Sequence, residues 1–173
     1  PSSVDASLLV PLTITKDVTG PVVDGDPTSF DIAVSCNGSS IPVDPFIDGE
    51  SDLLLVPAGS ACTVTELAPL GYEVTLTGAI TTNGGSTTMS EARSVTVTNA
   101  RDFADVLIRK DTVAPIGVAG SFVFDIDCLD DTYDADGVVT LDTLGTDSET
   151  SSPISLPVGL GCTITENVPT GWE

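Results

Sequence analysis

The chain has 173 residues, with 26 acidic and 5 basic side chains, no histidine and a net charge of −21. That charge repels nucleic acid and anionic membrane surfaces. The lack of histidine removes Ser/His/Asp triads and His-based zinc sites, and neither a P-loop nor a G-x-G-x-x-G pattern occurs.

Residues 1–10 read as a linker or as the end of a preceding repeat. A first strand follows in L-T-I-T-K-D-V, where Leu12, Ile14 and Lys16 fall on one face because strand side chains alternate. T-S-F-D-I-A-V-S-C brings Phe30 and Cys36. C-T-V-T-E-L-A-P-L-G-Y-E places Cys62, Val64 and Glu66 on one face and ends in Tyr72 and Glu73. The Thr/Ser/Gly tract at 81–90 reads as an exposed loop. S-V-T-V-T-N then aligns Val95, Val97 and Asn99.

The same signatures return. V-L-I-R-K-D-T holds Lys110, the second of only two lysines, at 110 − 16 = 94 residues from the first. G-S-F-V-F-D-I-D-C supplies Phe122 and Cys128, and C-T-I-T-E-N-V-P-T-G-W-E supplies Cys162, Glu166 and Trp172. Short alternating strands, turn residues between them and no sustained helical period predict an all-β chain. The expected architecture is tandem immunoglobulin-like or transthyretin-like β-sandwiches of about seven strands each. The expected boundaries are 11–101 for the first module and 102–173 for the second. The second lacks a counterpart of 94–99, so the sequence reads as a piece of a longer array. Residues beyond Glu173 or a strand from another chain would complete it. Asp5 precedes Lys16 by 11 residues, as Asn99 precedes Lys110. It is therefore a candidate acceptor for the Lys110 of a neighbouring chain.

Four cysteines allow three connectivities. The repeat favours the one that respects module boundaries, Cys36–Cys62 and Cys128–Cys162, and with it an oxidising, extracytoplasmic compartment. Four buried free thiols are the other reading. Small modules with few aromatics bury little, and covalent closure would compensate.

Lys16, Glu66 and Asn99 each extend an apolar stripe, and so do Lys110 and Glu166. Burial drives lysine and glutamate toward their neutral forms. A neutral amine held beside a carboxamide can attack it, with proximity supplying much of the rate. Two readings stand for the first module: an isopeptide bond between Lys16 and Asn99 promoted by Glu66, or a strand-end salt bridge with Asn99 capping a turn. No acceptor for Lys110 is visible in the second.

A lysine in the first strand, T-E-x-x-P-x-G-Y-E in the middle and V-x-V-x-N in the last strand resemble the Cna B-type fold. That fold forms stalk repeats of bacterial surface adhesins and the SpaA-type domains of pilins. The resemblance implies a Lys16–Asn99 isopeptide bond with Glu66 as its promoting acid. It implies the same roles for Lys110 and Glu166. The cysteine pair looks like cysteine-containing actinobacterial relatives. The implied function is a structural stalk or filament-shaft repeat on a bacterial cell surface, not an enzyme beyond one self-crosslinking turnover. Its partners would be adjacent repeats or other copies in a fibre, with no nucleic acid, no direct membrane contact and no cofactor.

The rival reading is a calcium-dependent extracellular ligand-binding module. It rests on the acidic segment from Asp125 to Gly137, where Asp130, Asp134 and Asp136 are candidate calcium ligands. The full calcium-loop spacing is not met, and a solvated acidic hairpin explains the same residues.

Overall fold

The computed structural model describes residues 8–115 and 118–172, and for 135–138 the backbone only. The chain divides into two compact units, Pro1–Asp102 and Phe103–Glu173. Both are all-β.

Unit 1 contains β1 (Leu9–Thr19), β2 (Ile32–Cys36), β3 (Ser39–Ile41), β4 (Ser51–Pro57), β5 (Ala61–Glu66), β6 (Tyr72–Gly78), β7 (Ser86–Thr88) and β8 (Arg93–Arg101). Two four-stranded sheets, ordered β4-β1-β8-β6 and β3-β2-β5-β7, form a sandwich. Period-2 alternation sends one set of side chains from each sheet inward. Leu12, Ile14, Leu76, Val95 and Val97 meet Val34, Cys36, Cys62 and Val64 in one buried cluster. The β2–β3 hairpin turns through Asn37 and Gly38, both at positive φ, as a tight two-residue hairpin requires.

β1 is antiparallel to β4 and parallel to β8. A parallel pair needs a long crossover connection, and here the rest of the unit is that connection. The strands also run past the polar residues of the apolar stripes. β1 continues three residues beyond Lys16, and β8 two beyond Asn99, so only Glu66 closes its strand.

Unit 2 contains β9 (Phe103–Val106), β10 (Arg109–Thr112), β11 (Ala119–Cys128), a 3-10 turn at Asp131–Tyr133, β12 (Ala135–Leu144), β13 (Asp147–Thr150), β14 (Ile154–Pro157) and β15 (Cys162–Asn167). β12-β11-β15 form one sheet, while β10 pairs with β13 and β9 with β14. By the repeat, β9 and β10 together take the place of β1, interrupted at Leu107 and Ile108. Among the described residues no strand lies on their other side, where β8 lies against β1. The core is correspondingly smaller and split in two, around Phe122, Phe124 and Leu141 and around Ile126, Cys128 and Leu156. Ile164, expected on an apolar face like Val64, is 42% exposed. The described residues include no counterparts of β6 and β8 to cover it.

Candidate functional site

Three strands build the site in unit 1. In the β1–β8 register Lys16 lies beside Val97 and Val18 beside Asn99. Lys16 and Asn99 therefore project from the same face of adjacent strands. Glu66 enters from the facing sheet, at the end of β5. Its position is fixed by Asn83, whose Oδ1 accepts from the Glu66 amide (3.0 Å) and whose Nδ2 donates to the Glu66 carbonyl (2.7 Å). A side chain thus substitutes for a neighbouring strand's backbone. Asn83 lies in the tract read above as a plain exposed loop. The only sequence signal for it is an amide among small residues.

One carboxyl group touches both partners. Asn99 Nδ2 donates to Glu66 Oε1 at 2.7 Å, and Lys16 Nζ lies 3.2 Å from Glu66 Oε2. The second contact is close enough for an ion pair but is not aligned as a hydrogen bond, and Glu66 Oε2 and Asn99 Oδ1 lack hydrogen-bond partners. The Lys16 and Glu66 side chains are 0% and 1% exposed. Lys16 Nζ also sits 4.5 Å from the centre of the Phe30 ring and 3.4 Å from the Asp17 and Val97 carbonyls. Burial pushes the Lys16 amine below the ordinary lysine range, and the negative charge of Glu66 offsets this only in part.

A second buried group adjoins the site. The Arg101 guanidinium stacks 4.1 Å over the Tyr72 ring, donates to Tyr72 Oη at 2.8 Å and pairs with the Asp26 carboxylate. Its Nε donates to the Pro21 carbonyl at 3.2 Å. Burial alone would raise the Asp26 pKa, but hydrogen bonds from Arg101, the Val23 amide and Tyr72 outweigh it and hold the carboxyl below the usual range. Tyr72 meets Phe30 edge-on at 6.3 Å between centroids, so it packs beside the ring under Lys16 rather than on the lysine itself. Sequence reasoning did not single out Arg101 or Asp26. Alternation could have found Arg101, which follows Val97 and Asn99 on the inward face.

Unit 2 repeats half of this arrangement. Lys110 Nζ lies 2.6 Å from Glu166 Oε1 and 4.4 Å from the Phe122 ring centre. Trp172 packs edge-on against Phe122 at 5.0 Å. The pair is more open, with side chains 19% and 26% exposed, and no asparagine or aspartate joins it in any described contact. Asp5, the candidate partner from a neighbouring chain, lies outside the described residues.

Disulfides join Cys36 to Cys62 and Cys128 to Cys162. Each links directly paired residues on antiparallel strands, β2 with β5 and β11 with β15. In the acidic segment Asp130 accepts from the Thr132 amide at 3.0 Å and Asp134 from the Cys128 amide at 2.7 Å. Both carboxylates shape the local turn. The Asp136 side chain lies outside the described residues. Among the described residues no helix is long and apolar enough to cross a membrane.

A family profile described as a domain of unknown function, DUF5979, matches residues 12–102 and again residues 106–173. The chain belongs to the DUF5979 family. The two matches make it a tandem pair of DUF5979 domains. No curated protein matches it in sequence. Among solved structures it is similar to a bacterial adhesin from Mobiluncus mulieris containing intramolecular disulfide, isopeptide and ester bond cross-links. The identity is 24% over 55% of this chain and 42% of that one, with a TM-score of 0.42. It is also similar to the major pilin protein T-13 from Streptococcus pyogenes serotype GAS131465. There the identity is 22% over 54% of this chain and 45% of the other, with a TM-score of 0.43. The DUF5979 pair spans less than half the length of either protein.

Proposed function

We propose that unit 1 cross-links itself once, through an amide bond between Lys16 Nζ and Asn99 Cγ, and that the tandem units serve as a structural stalk or filament-shaft segment of a bacterial cell-surface protein. The observation that carries this reading is the buried Glu66 carboxyl, which touches the lysine and the asparagine at once between the first and last strands.

The chemistry balances within the site. Burial favours the amine, whose lone pair attacks Asn99 Cγ. With Glu66 protonated, a half-turn of the carboxamide brings Asn99 Oδ1 to Glu66 Oε1 as a hydrogen-bond acceptor. That contact polarises the carbonyl and gives the partnerless Oδ1 a donor. The tetrahedral carbon then loses Nδ2, which leaves as ammonia with a proton relayed from the amine through Glu66. One C–N bond forms, one breaks, and nothing is oxidised. Held groups of this kind react at high effective molarity.

The closed segment spans 99 − 16 = 83 residues, and the Cys36–Cys62 disulfide lies inside it. Tension applied at the two ends of unit 1 would pass from β1 to β8 through the covalent bond and leave the sandwich unloaded. Disulfides suit an oxidising extracellular setting, and a net charge of −21 keeps crowded surface copies apart.

Intact mass tests the reading. The wild-type chain should weigh about 17 Da less than the oxidised, unmodified chain, the mass of the ammonia expelled in the acyl substitution. Lys16→Ala, Glu66→Ala and Asn99→Ala should each remove the deficit. A wild-type mass equal to that of the oxidised chain would sink the cross-link. A deficit that survives Asn99→Ala would move it elsewhere.

A further inference from the structure

Three neighbouring strands of the β4-β1-β8-β6 sheet share one repetitive pattern. β1 carries L-T-I-T, β6 carries V-T-L-T and β8 carries V-T-V-T. Thr15 pairs with Thr96, Thr96 with Thr77, and Thr98 with Thr75. Sliding β8 by two residues would again set threonine against threonine and aliphatic against aliphatic. A one-residue slip turns a strand inside out, but a two-residue slip preserves its faces. The ladder itself therefore discriminates weakly between registers two residues apart. Such a slip would still carry Asn99 about 7 Å along the strand, away from the Glu66 carboxyl that it meets at 2.7 Å.

Arg101 breaks this degeneracy. It is the one buried charged residue of β8, and it meets Asp26 and the Pro21 carbonyl in the β1–β2 connection, outside the ladder, as well as the hydroxyl of Tyr72, its cross-strand neighbour on β6. Only the observed register gives the buried guanidinium all three, and a buried charge without its partners is strongly disfavoured. The connection meets Arg101 at Gly20, where an added Cβ would lie 2.6 Å from Arg101 Cβ. Arg101 also grips the ring stack under the lysine, since Tyr72 abuts Phe30 and Phe30 underlies Lys16.

We propose that Arg101, with Asp26 and Tyr72, is the register pin of unit 1: a set of positioning residues that fixes β8 along β1 and so presents Asn99 to the Glu66 carboxyl that also holds Lys16. The proposal rests on the cross-linking reading for its consequence, but the register itself can be read without it. Among the described residues unit 2 has no such device. The segment between Asp111 and Phe122 contains no acid, and tryptophan stands where Tyr72 supplies its hydroxyl.

The test uses the full chain. Cross-link formation is followed by intact mass after a pulse of cell-free synthesis under oxidising conditions. In parallel, β8 register is read in the Lys16→Ala background from backbone NOEs between position 16 and Val97. Arg101→Ala should slow the mass loss at least about tenfold, because misaligned partners lose effective molarity. It should also replace the single set of 16–97 NOEs by sets from more than one register. Arg101→Lys, which keeps the charge but loses the planar fork, should restore part of the rate. If Arg101→Ala does not fold, Tyr72→Phe carries the test, with an expected slowing of about fivefold for one lost hydrogen bond. A folded Arg101→Ala or Tyr72→Phe chain that cross-links at the wild-type rate overturns the pin. So does an Arg101→Ala chain that keeps its single register. If the wild-type chain never loses ammonia, the cross-linking reading fails separately, and the NOE register alone upholds or overturns the pin.

Discussion

Lys16–Glu66 and Lys110–Glu166 are two copies of one contact in different surroundings. Both lysines stand over a phenylalanine at nearly the same height, 4.5 and 4.4 Å, and both meet the glutamate that follows a disulfide-bonded cysteine by four residues. They differ in burial: 0% and 1% exposure in unit 1 against 19% and 26% in unit 2. The first strand and the disulfide-linked strand pair are thus enough to bring the two side chains together. The strand beside β1 is what seals it from water and supplies the asparagine. In the open copy the contact is an ordinary ion pair, whereas in the sealed copy burial presses the lysine toward its reactive form.

The largest separation between the copies should come from the proposed covalent bond. Removing the Lys16–Asn99 link by Asn99→Ala should lower the unfolding free energy of reduced unit 1 by about 4.5 kcal/mol, the chain-entropy value for a loop of that length. Lys110→Ala should leave the chain mass deficit intact. Calorimetry and intact mass on the two variants measure both, and equal destabilisation by Asn99→Ala and Lys110→Ala would erase the distinction.

Reduction should divide the units next. Each disulfide is worth about 3–4 kcal/mol in the same model, and unit 2, with the smaller core, should unfold first when reductant is added. Hydrogen exchange across the two units follows this directly. Loss of unit 1 before unit 2 would contradict the order.

A smaller effect concerns pH. In Asn99→Ala the lysine stays an amine whose folded pKa lies below its ordinary value of 10.5. The unfolded chain then binds more protons in the window between the two, so stability rises as pH climbs through it and levels off above 10.5. Denaturant midpoints across alkaline pH should show this rise, and Lys16→Met on the same background should abolish it. The smallest effect belongs to the open pair: Glu166→Gln should change the stability of unit 2 by about 1 kcal/mol or less, as for other solvent-screened ion pairs.

Much of this was legible in the sequence, for identifiable reasons. The repeat is written in rare residues, two lysines, four cysteines and one Tyr/Trp position, so the all-β tandem architecture could be read without knowing any contact. Alternation set Leu12, Ile14 and Lys16 on one face because a strand has only two. Alternation says nothing about neighbours, however. The parallel pairing of β1 with β8 spans most of the unit and leaves no local trace. Asn83 and Asp26 were hidden for the same reason, since each acts on a residue 17 or 75 positions away. Ile164 shows the converse limit. Its pattern copies that of Val64, yet exposure depends on which strands cover the face.

The parallel relation of β1 and β8 has a geometric consequence. Had the two strands been antiparallel, the chain would enter and leave unit 1 at the same end of the sheet. Because they run together, entry at Leu9 and exit at Arg101 fall at opposite ends. Unit 1 therefore has a head and a tail. The polypeptide advances along the strand axis as it passes through, by about 3.3 Å for each strand residue.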